Sequence, residues 1–252
     1  MILTIDIGNT TIAIGAVSRG KVLEVTRINT SIVLRQLAPH IQKVLNKYKR
    51  NGYKFEIAII CSVVPESTTI VEQIIKKEGG ITVKVVGYDF IVPIKNRYKN
   101  PKQVGQDRLV GAYAAMVLYG TPVIVIDLGT AITFDCVSVK GEYLGGAIVP
   151  GLRLSAESLF LKTALLPKID IKAPRSVVGR TTQESILSGL FYGYGSLCRG
   201  FIELVAKQMK ARPKVVMTGG HTHLMKKFIA SKIRIIDETL VHKGLALLAE
   251  SV

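Results

Sequence analysis

The sequence contains little cysteine and no long hydrophobic run. Its three cysteines, Cys61, Cys136 and Cys198, lie far apart and show no CxxC spacing, so neither a zinc site nor a disulfide framework is supported. No apolar run reaches the roughly 18 residues that a transmembrane helix needs. The first residues also lack the basic segment of a signal peptide. These absences predict a cytoplasmic protein that does not bind a membrane.

Metal-binding and nucleic-acid-binding motifs are also missing. The histidines form no HExxH pattern, and His221 and His223 are predicted to lie in a solvent-exposed loop rather than at a metal. Lysine and arginine outnumber the acidic residues by 34 to 18, which gives a net charge of +16. Such a charge is one feature of nucleic-acid binders. The basic residues are spread along the whole chain, however, and we expect a lysine-rich surface rather than a nucleic-acid partner.

Hydrophobic residues make up 48% of the chain, which is enough for a full-sized core, and they follow alternating strand and helix patterns. Strands are predicted at residues 2–7, 11–17, 55–64, 82–86, 122–127, 132–139 and 214–217. Helices are predicted at residues 35–48, 68–77, 108–118, 184–208, 224–230 and 243–250, with a loop over residues 93–106. This alternation predicts an α/β fold.

An internal repeat divides the chain. Ile5-Asp6-Ile7-Gly8 matches Ile126-Asp127-Leu128-Gly129, and once Asn9 is skipped, Thr10-Thr11-Ile12 matches Thr130-Ala131-Ile132. Each copy has the pattern of a β-hairpin whose turn follows an aspartate. Two copies about half a chain apart predict two similar lobes that face a cleft: an N-terminal lobe of residues 1–118 and a C-terminal lobe of residues 119–252.

The repeated turn suits nucleotide phosphates. Gly8 and Gly129 lack a Cβ, so backbone N–H groups can approach phosphate oxygens closely. Asn9, Thr10 and Thr130 add side-chain donors. A plain hairpin is the simpler interpretation of one such turn, but the second copy favours nucleotide binding.

Two further features support a nucleotide. Asp6 would repel a phosphate unless a hydrated Mg²⁺ lies between them. Thr218-Gly219-Gly220 follows a late strand, where an adenosine could lie flat against the backbone. This three-part layout is that of the actin, hexokinase and Hsp70-like superfamily. No GxxxxGK[ST] motif is present, which excludes a Walker-type P-loop.

Candidate acceptor residues surround Gly105-Gln106-Asp107-Arg108, at the start of a predicted helix. Aspartate is a favoured N-cap, and the helix dipole predicts that Asp107 is a weak base there. An ordinary aspartate can still orient an attacking hydroxyl in phosphoryl transfer. Arg108 is either a surface residue or a ligand of an anion, since a guanidinium binds a carboxylate bidentately.

Two more residues are candidates for ligand binding. Thr181 and Glu184 fit a capping box, with Thr181 as the N-cap, which leaves Thr182 available to a ligand. Tyr98 lies in the basic loop before Gly105, and by itself this position predicts only a surface tyrosine.

At these residues the chain resembles the type III pantothenate kinases. The matching stretches follow the order of the family and cover nearly the whole chain. They are Asp6-Ile-Gly-Asn-Thr10, Ser62-Val-Val-Pro65, Gly105-Gln-Asp-Arg108, Asp127-Leu-Gly-Thr-Ala131, Gly145-Gly-Ala-Ile-Val-Pro-Gly151 and Gly179-Arg-Thr-Thr-Gln-Glu-Ser185. The Gly-x-Asp-Arg and Asp-x-Gly-Thr-Ala pair is the most specific part of this resemblance.

The resemblance implies an actin-like ATPase (ribonuclease H-like) fold and ATP-dependent phosphorylation of pantothenate to 4′-phosphopantothenate, the first step towards coenzyme A. It also implies a homodimer, Asp107 as the proton acceptor, Mg²⁺ with the ATP, and a monovalent cation (K⁺ or NH₄⁺) at Asp127. The pantothenate-binding residues that it implies are Tyr98, Gly105, Gln106, Asp107, Arg108 and Thr182. The ATP-binding residues that it implies are Asp6, Ile7, Gly8, Asn9, Thr10, Thr11, Ile12, Ala13 and Thr130.

Other functions are consistent with parts of the pattern. A regulator of the Bvg accessory factor type shares this fold, although the presence of both Asp107 and Arg108 favours catalysis. A kinase of another small alcohol is a second alternative, and Arg108 favours an anionic acceptor over a neutral sugar. An actin-type filament protein would need more residues than the 252 of this chain.

Overall fold

The computed structural model describes residues 1–30, 34–229 and 235–250, and it has the predicted α/β architecture, with two β-sheets. The chain forms two compact units. Unit 1 consists of Met1–Ile94, Lys99–Val117 and Thr239–Val252, and unit 2 consists of Lys95–Tyr98 and Leu118–Glu238. No helix in the described ranges has both the length and the apolar character that a membrane span requires.

Unit 1 contains a five-stranded sheet in the order β3-β2-β1-β4-β5. Its strands are β1 (Ile2–Ile7), β2 (Thr11–Ser18), β3 (Lys21–Asn29), β4 (Ile57–Ser62) and β5 (Thr82–Val85). Its helices are α1 (Leu34–Arg50), α2 (Pro65–Gly79), most of α3 (Gln106–Tyr119), and α8 (Leu240–Ala249). Leu3, Ile5 and Ile7 of the central strand are buried in one core cluster with residues of α1 and α2.

Unit 2 contains a six-stranded sheet in the order β11-β10-β7-β8-β9-β6. Its strands are β6 (Lys95–Asn96), β7 (Val123–Leu128), β8 (Ala131–Val137), β9 (Glu142–Pro150), β10 (Lys214–Thr218) and β11 (Ile235–Ile236). Its helices are α4 (Leu152–Lys162), α5 (Thr182–Ser188), α6 (Tyr194–Met209) and α7 (Thr222–Ile229). One face of this sheet forms a core with α4 to α7 that includes Ile126, Phe134 and Phe191.

The predicted repeat of a β-hairpin is confirmed. In unit 1, β1 and β2 pair in antiparallel fashion, and the Gly8 N–H donates to the Thr11 carbonyl at 2.9 Å. In unit 2, β7 and β8 pair in the same way, and the Gly129 N–H donates to the Ala131 carbonyl at 3.0 Å. The second turn is one residue shorter, as expected if Asn9 has no counterpart. On its other side, each first strand pairs in parallel with a later strand, β4 or β10.

The boundary between the units after Val117 lies next to the predicted lobe boundary, but the C-terminal helix belongs to unit 1. His242 of α8 is buried, and its Nδ1 lies 2.8 Å from Thr4 Oγ1 of β1. Gly15 leaves room for this contact, because a Cβ there would lie 2.7 Å from His242 Nδ1. Burial lowers the pKa of His242 to about 4, so the ring is neutral and serves as a packing and hydrogen-bonding group.

The long helix predicted at residues 184–208 is confirmed, with a π-helical turn inside it. It consists of α5, a π-helical turn at Gly189–Gly193, and α6. Glycine has a weak helix propensity, and the two glycines at the ends of this turn permit the wider backbone path. Four strands, β3, β6, β9 and β11, and the helix α4 go beyond the predicted elements, and β6 lies within the loop predicted at residues 93–106. Polar residues are irregularly spaced along β3, and glycines interrupt β9, so neither has a strong strand pattern.

Candidate active site

The first candidate phosphate turn connects β1 to β2 in unit 1. Asp6 is half-buried near the end of β1, and Asn9 and Thr10 are exposed at the tip of the turn. Thr30 braces the turn, because its Oγ1 donates to the Gly8 carbonyl at 2.9 Å and its N–H donates to the Thr10 carbonyl at 2.9 Å. The sequence pattern gives no signal for Thr30, which follows the unpredicted strand β3.

The other residues predicted to bind ATP at this turn differ in exposure. The side chains of Ile7, Ile12 and Ala13 are buried in unit 1, so a ligand could meet only their backbone groups. Thr11 is half-buried as the first residue of β2. The polar end of the turn is therefore formed by Asp6, Gly8 and the exposed residues Asn9 and Thr10.

Helix α3 begins at Gln106, so Asp107 lies within its first turn. The prediction that Asp107 is the N-cap is therefore wrong. Asp107 Oδ1 accepts a hydrogen bond from the Arg108 N–H at 2.8 Å. Burial raises the pKa of Asp107, and the Arg108 N–H and guanidinium only partly oppose this effect. The carboxylate is therefore a stronger base than the helix dipole alone predicts, and that prediction is corrected.

Gly105 is required at its position by the carboxylate beside it. A Cβ on Gly105 would overlap with Oδ1 of Asp107, and it would also lie 3.6 Å from the Val63 side chain. The glycine thus lets the carboxylate fold back over the start of α3. This contact gives a structural reason for the Gly-x-Asp-Arg motif.

The carboxylates of Asp6 and Asp107 both act electrostatically on one buried thiol of unit 1, that of Cys61. Cys61 of β4 is paired with Asp6 in the parallel ladder. Burial raises the pKa of the Cys61 thiol well above its ordinary value, and the charges of Asp6 and Asp107 raise it further. Two carboxylates that are far apart in sequence, that of the phosphate turn and that of the predicted proton acceptor, therefore act on the same buried group.

Gln106 and Arg108 are both half-buried. The Gln106 side chain packs against the turn at Gly87, whose φ is 86° and whose Cβ, if present, would lie 3.0 Å from the Gln106 amide nitrogen. Nη2 of Arg108 is shielded from solvent. Arg108 is therefore not a surface arginine, and its role as a ligand of an anion stays a prediction.

The second candidate phosphate turn, in unit 2, encloses the carboxylate of Asp127. A Cβ on Gly219 would overlap with Asp127 Oδ1, and a Cβ on Gly129 would lie 3.3 Å from the same atom. The φ of Gly219 is 94°, a conformation that favours glycine. Two of the predicted motifs, Asp127-Leu-Gly-Thr and Thr218-Gly-Gly, thus meet at one carboxylate. Thr130 is exposed at the tip of the turn, as expected of a phosphate contact.

His221 and His223 do not lie in an exposed loop, and this prediction is wrong. His221 is half-buried, and its backbone N–H donates to the Leu128 carbonyl at 3.0 Å. Burial lowers the pKa of His221. His223 is exposed, but on helix α7. Across the described part of the chain, no three His, Cys, Asp or Glu residues are grouped as a metal site.

The two other predicted acceptor residues also lie in unit 2. Tyr98 follows β6 and rests against Gly145 of β9, where a Cβ would lie 3.1 Å from the tyrosine ring. Thr182 is the exposed first residue of α5. The predicted N-cap is confirmed, because Thr181 Oγ1 accepts from the Glu184 N–H at 3.2 Å. The Glu184 carboxylate accepts in turn from the Arg180 N–H at 2.8 Å.

A cavity of about 660 Å³ adjoins Thr182 and is lined by residues on both sides of it, Thr181 and Gln183. Three cationic residues line the same cavity, namely Lys172, Arg175 and Arg180. The salt bridges within the described ranges include none of the three. Glu184 adds one carboxylate to the lining, so cationic side chains remain in excess, which suits a small anionic molecule.

Comparison with known proteins gives a consistent result. The family model of type III pantothenate kinase matches residues 2–204. A type III pantothenate kinase of Persephonella marina is 43% identical over 230 residues, which cover 90% of each chain. One of Finegoldia magna is 38% identical over 253 residues, which cover 98% of this chain and 96% of the relative.

Solved structures show the fold. The ethanolamine utilization protein EutJ of Carboxydothermus hydrogenoformans has a TM-score of 0.59 at 14% identity, over 97% of this chain and 88% of its own. MreB5 of Spiroplasma citri bound to ADP has a TM-score of 0.56 at 11% identity, over 99% of this chain and 96% of its own. The predicted actin-like ATPase fold is confirmed.

Proposed function

Because the chain belongs to the type III pantothenate kinase family, it phosphorylates pantothenate with ATP in coenzyme A biosynthesis, and we propose which of its residues carry this reaction. Asp107 accepts the proton of the pantothenate hydroxyl that attacks the γ-phosphate. The observation that carries this proposal is that Asp107 is held at the start of α3 by the Arg108 N–H, while its burial raises its pKa and its charge, like that of Asp6, acts on Cys61. Since the reaction consumes ATP, we place it in the cytoplasm.

Asp107 contributes mainly by orientation. The transition state of phosphoryl transfer is loose in most analyses, so little proton transfer is complete when the phosphoryl group moves. A carboxylate held by the Arg108 N–H can fix the hydroxyl in line with the phosphate. Its raised pKa then allows Asp107 to take the proton as the bond to phosphorus forms.

The nucleotide side of the site is assigned to the two turns. Backbone N–H groups next to Gly8 and next to Gly129 would bind phosphate oxygens, and Gly219-Gly220 would receive the adenosine. Asp6 suits a hydrated Mg²⁺, which takes one or two carboxylates and phosphate oxygens as ligands. The carboxylate of Asp127, enclosed by two glycines, suits a K⁺ or NH₄⁺ ion. When bound, these cations neutralise the charge that develops on the phosphates.

The acceptor side of the site is assigned to an anionic substrate. Arg108 is half-buried and has a guanidinium that matches a carboxylate, which pantothenate carries. Gly105 and Gln106 shape the start of α3 in unit 1, and Tyr98 and Thr182 of unit 2 are further candidates for pantothenate binding. The basic cavity beside Thr182 supports the same class of ligand.

We expect ADP release from ATP and Mg²⁺ to depend on pantothenate and to be faster in K⁺ than in Na⁺ buffer. The replacement Asp127→Asn should reduce this difference between cations, and it should weaken ATP binding measured by calorimetry. Asp170→Asn, at an exposed acid of the same unit, is the matched control. Turnover of another small anionic alcohol in place of pantothenate would contradict the acceptor assignment. Equal rates in both buffers would contradict the cation assignment at Asp127.

We also propose a homodimer formed through an apolar surface of unit 2. Leu161 at the end of α4 is 72% exposed and Leu165 just beyond it is 91% exposed, beside the partly exposed Leu159 and Phe160. Monomeric proteins rarely expose such contiguous apolar surface. A second copy of the chain is the natural occupant, because most soluble oligomers are symmetric homo-oligomers.

The double replacement Leu161→Lys and Leu165→Lys should convert the dimer into a monomer at micromolar concentration, as measured by light scattering after gel filtration. The buried lysines would lose hydration at the interface, and the two copies would repel each other. Val139→Lys, at another exposed position of unit 2, should leave the dimer intact. A double variant that stays dimeric would show that a different surface is used.

A further inference from the structure

Tyr98 lies on a short segment that belongs to unit 2, although the residues before and after it in the sequence belong to unit 1. We call Lys95–Tyr98 the Tyr98 segment. Lys95 and Asn96 pair in parallel with Glu142 and Tyr143 of β9. The Arg97 N–H extends this pairing by donating to the Tyr143 carbonyl at 2.9 Å. The backbone leading to Tyr98 is therefore fixed to the sheet of unit 2.

Glu142 fastens the Tyr98 segment from one side. A single carboxylate oxygen, Oε1, lies 2.8 Å from Nη2 of Arg97 and 3.2 Å from Nζ of Lys95. The hydrogen bonds from these two cations lower the pKa of Glu142, so it is charged at neutral pH. One carboxylate thus bridges both cations and offsets part of the repulsion between them.

The strand under the segment is itself anchored in the core of unit 2. Tyr143 is fully buried, and its hydroxyl donates to Asp135 Oδ1 at 2.7 Å. Asp135 is also buried, and its other oxygen accepts from Thr133 at 3.0 Å. This network fixes the position of Tyr143, whose carbonyl holds the segment.

Gly145 sets where the Tyr98 ring can lie. Its φ is 105°, and a Cβ would lie 3.1 Å from both Cδ2 and Cε2 of the ring. The ring therefore rests on bare backbone at this point. The Tyr98 N–H is fixed as well, because it donates to Asn96 Oδ1 at 2.9 Å. Any side chain at position 145 would displace the Tyr98 ring from this position.

We propose that Gly145 and Glu142 are positioning residues that hold the Tyr98 ring in the acceptor site. Gly145 provides the surface on which the ring rests, and Glu142 fastens the segment that carries it. The inference rests on the proposed role of Tyr98 in pantothenate binding. It adds two residues that do not touch the substrate but decide whether Tyr98 can.

The test is a double-mutant cycle on Gly145→Ala and Tyr98→Ala, with kcat, KM and calorimetric affinity measured for pantothenate. Gly145→Ala should lower kcat/KM for pantothenate by about 10- to 100-fold, the range for a misplacement of about 1 Å. The KM for ATP should stay within about twofold. In the Tyr98→Ala background, the further effect of Gly145→Ala should vanish, because the ring through which it acts is absent.

Two more variants separate positioning from general damage. Gly141→Ala strains a glycine of the same hairpin, with a φ of 74°, and should lower thermal stability without raising the pantothenate KM. Glu142→Gln should raise that KM by about two- to fivefold, as expected for exposed ion pairs. Additive effects of the two alanine replacements would overturn the inference while wild-type turnover of pantothenate still supported the proposed function. A wild-type enzyme that neither binds nor phosphorylates pantothenate would overturn both.

Discussion

Replacing Asp107 with asparagine is expected to lower kcat by about 10²- to 10⁴-fold, the range for loss of a positioned general base. Asparagine keeps an oxygen that can accept from the Arg108 N–H, so the start of α3 should be preserved. The ATP affinity, measured by calorimetry without pantothenate, should change by less than about threefold, because the nucleotide is assigned to other residues.

The raised pKa of Asp107 adds a pH signature. The acid limb of kcat/KM reports the base of the free enzyme, so this limb should lie above the 3.8 of an unperturbed aspartate. The folded protein binds this proton more tightly than the unfolded chain does, so stability falls as pH rises through the folded-state pKa. Asparagine carries no charge, and at neutral pH the variant should therefore be as stable as the wild type or more stable.

A loss of kcat without a loss of stability distinguishes a catalytic carboxylate from a structural one. Asp89 of unit 1 is a suitable control, because its Oδ2 accepts from the Val85 N–H at 2.6 Å. Asp89→Asn should leave kcat within about twofold of the wild type and reduce stability. If Asp107→Asn kept near-normal kcat and lost stability instead, Asp107 would serve only the start of the helix.

The second large effect is expected at Gly219. Alanine there would overlap with Asp127 Oδ1 and lie 2.6 Å from Leu128 N, at a φ of 94°. The backbone strain alone costs about 1–2 kcal/mol, which corresponds to a fall in Tm of roughly 2–8 °C for a chain of this size. The displaced Asp127 and Gly129 should also weaken ATP binding by at least about tenfold.

Gly220 provides the matched control for folding. No heavy atom beyond its chain neighbours lies within 4 Å of a Cβ built there, so Gly220→Ala should keep the wild-type Tm. The measurements are calorimetric Tm and ATP affinity of both variants. Wild-type ATP affinity in Gly219→Ala would show that the contact with Asp127 has no part in the nucleotide site.

The predicted and observed elements agree best where a segment is uniformly apolar. Strands β1, β7 and β10 form the centres of the sheets, and their sequences consist largely of branched aliphatic residues. The elements that escape prediction have mixed patterns. The glycines of β9 serve close approaches, since a Cβ on Gly146 would overlap with the Phe134 carbonyl. The local sequence pattern cannot show that a glycine is needed because another strand approaches its backbone closely.

The sequence by itself determined the α/β class, the repeated hairpin and the capping of α5 by Thr181, because each of these depends on local spacing or on hydrogen bonds within one turn. It also contained the motifs that identify the family. Only the tertiary structure decided the chemistry of these motifs, because burial and charge depend on residues remote in sequence. Burial makes Asp107 a stronger base, Gly219 encloses Asp127, and Glu142 and Gly145 hold the segment of Tyr98.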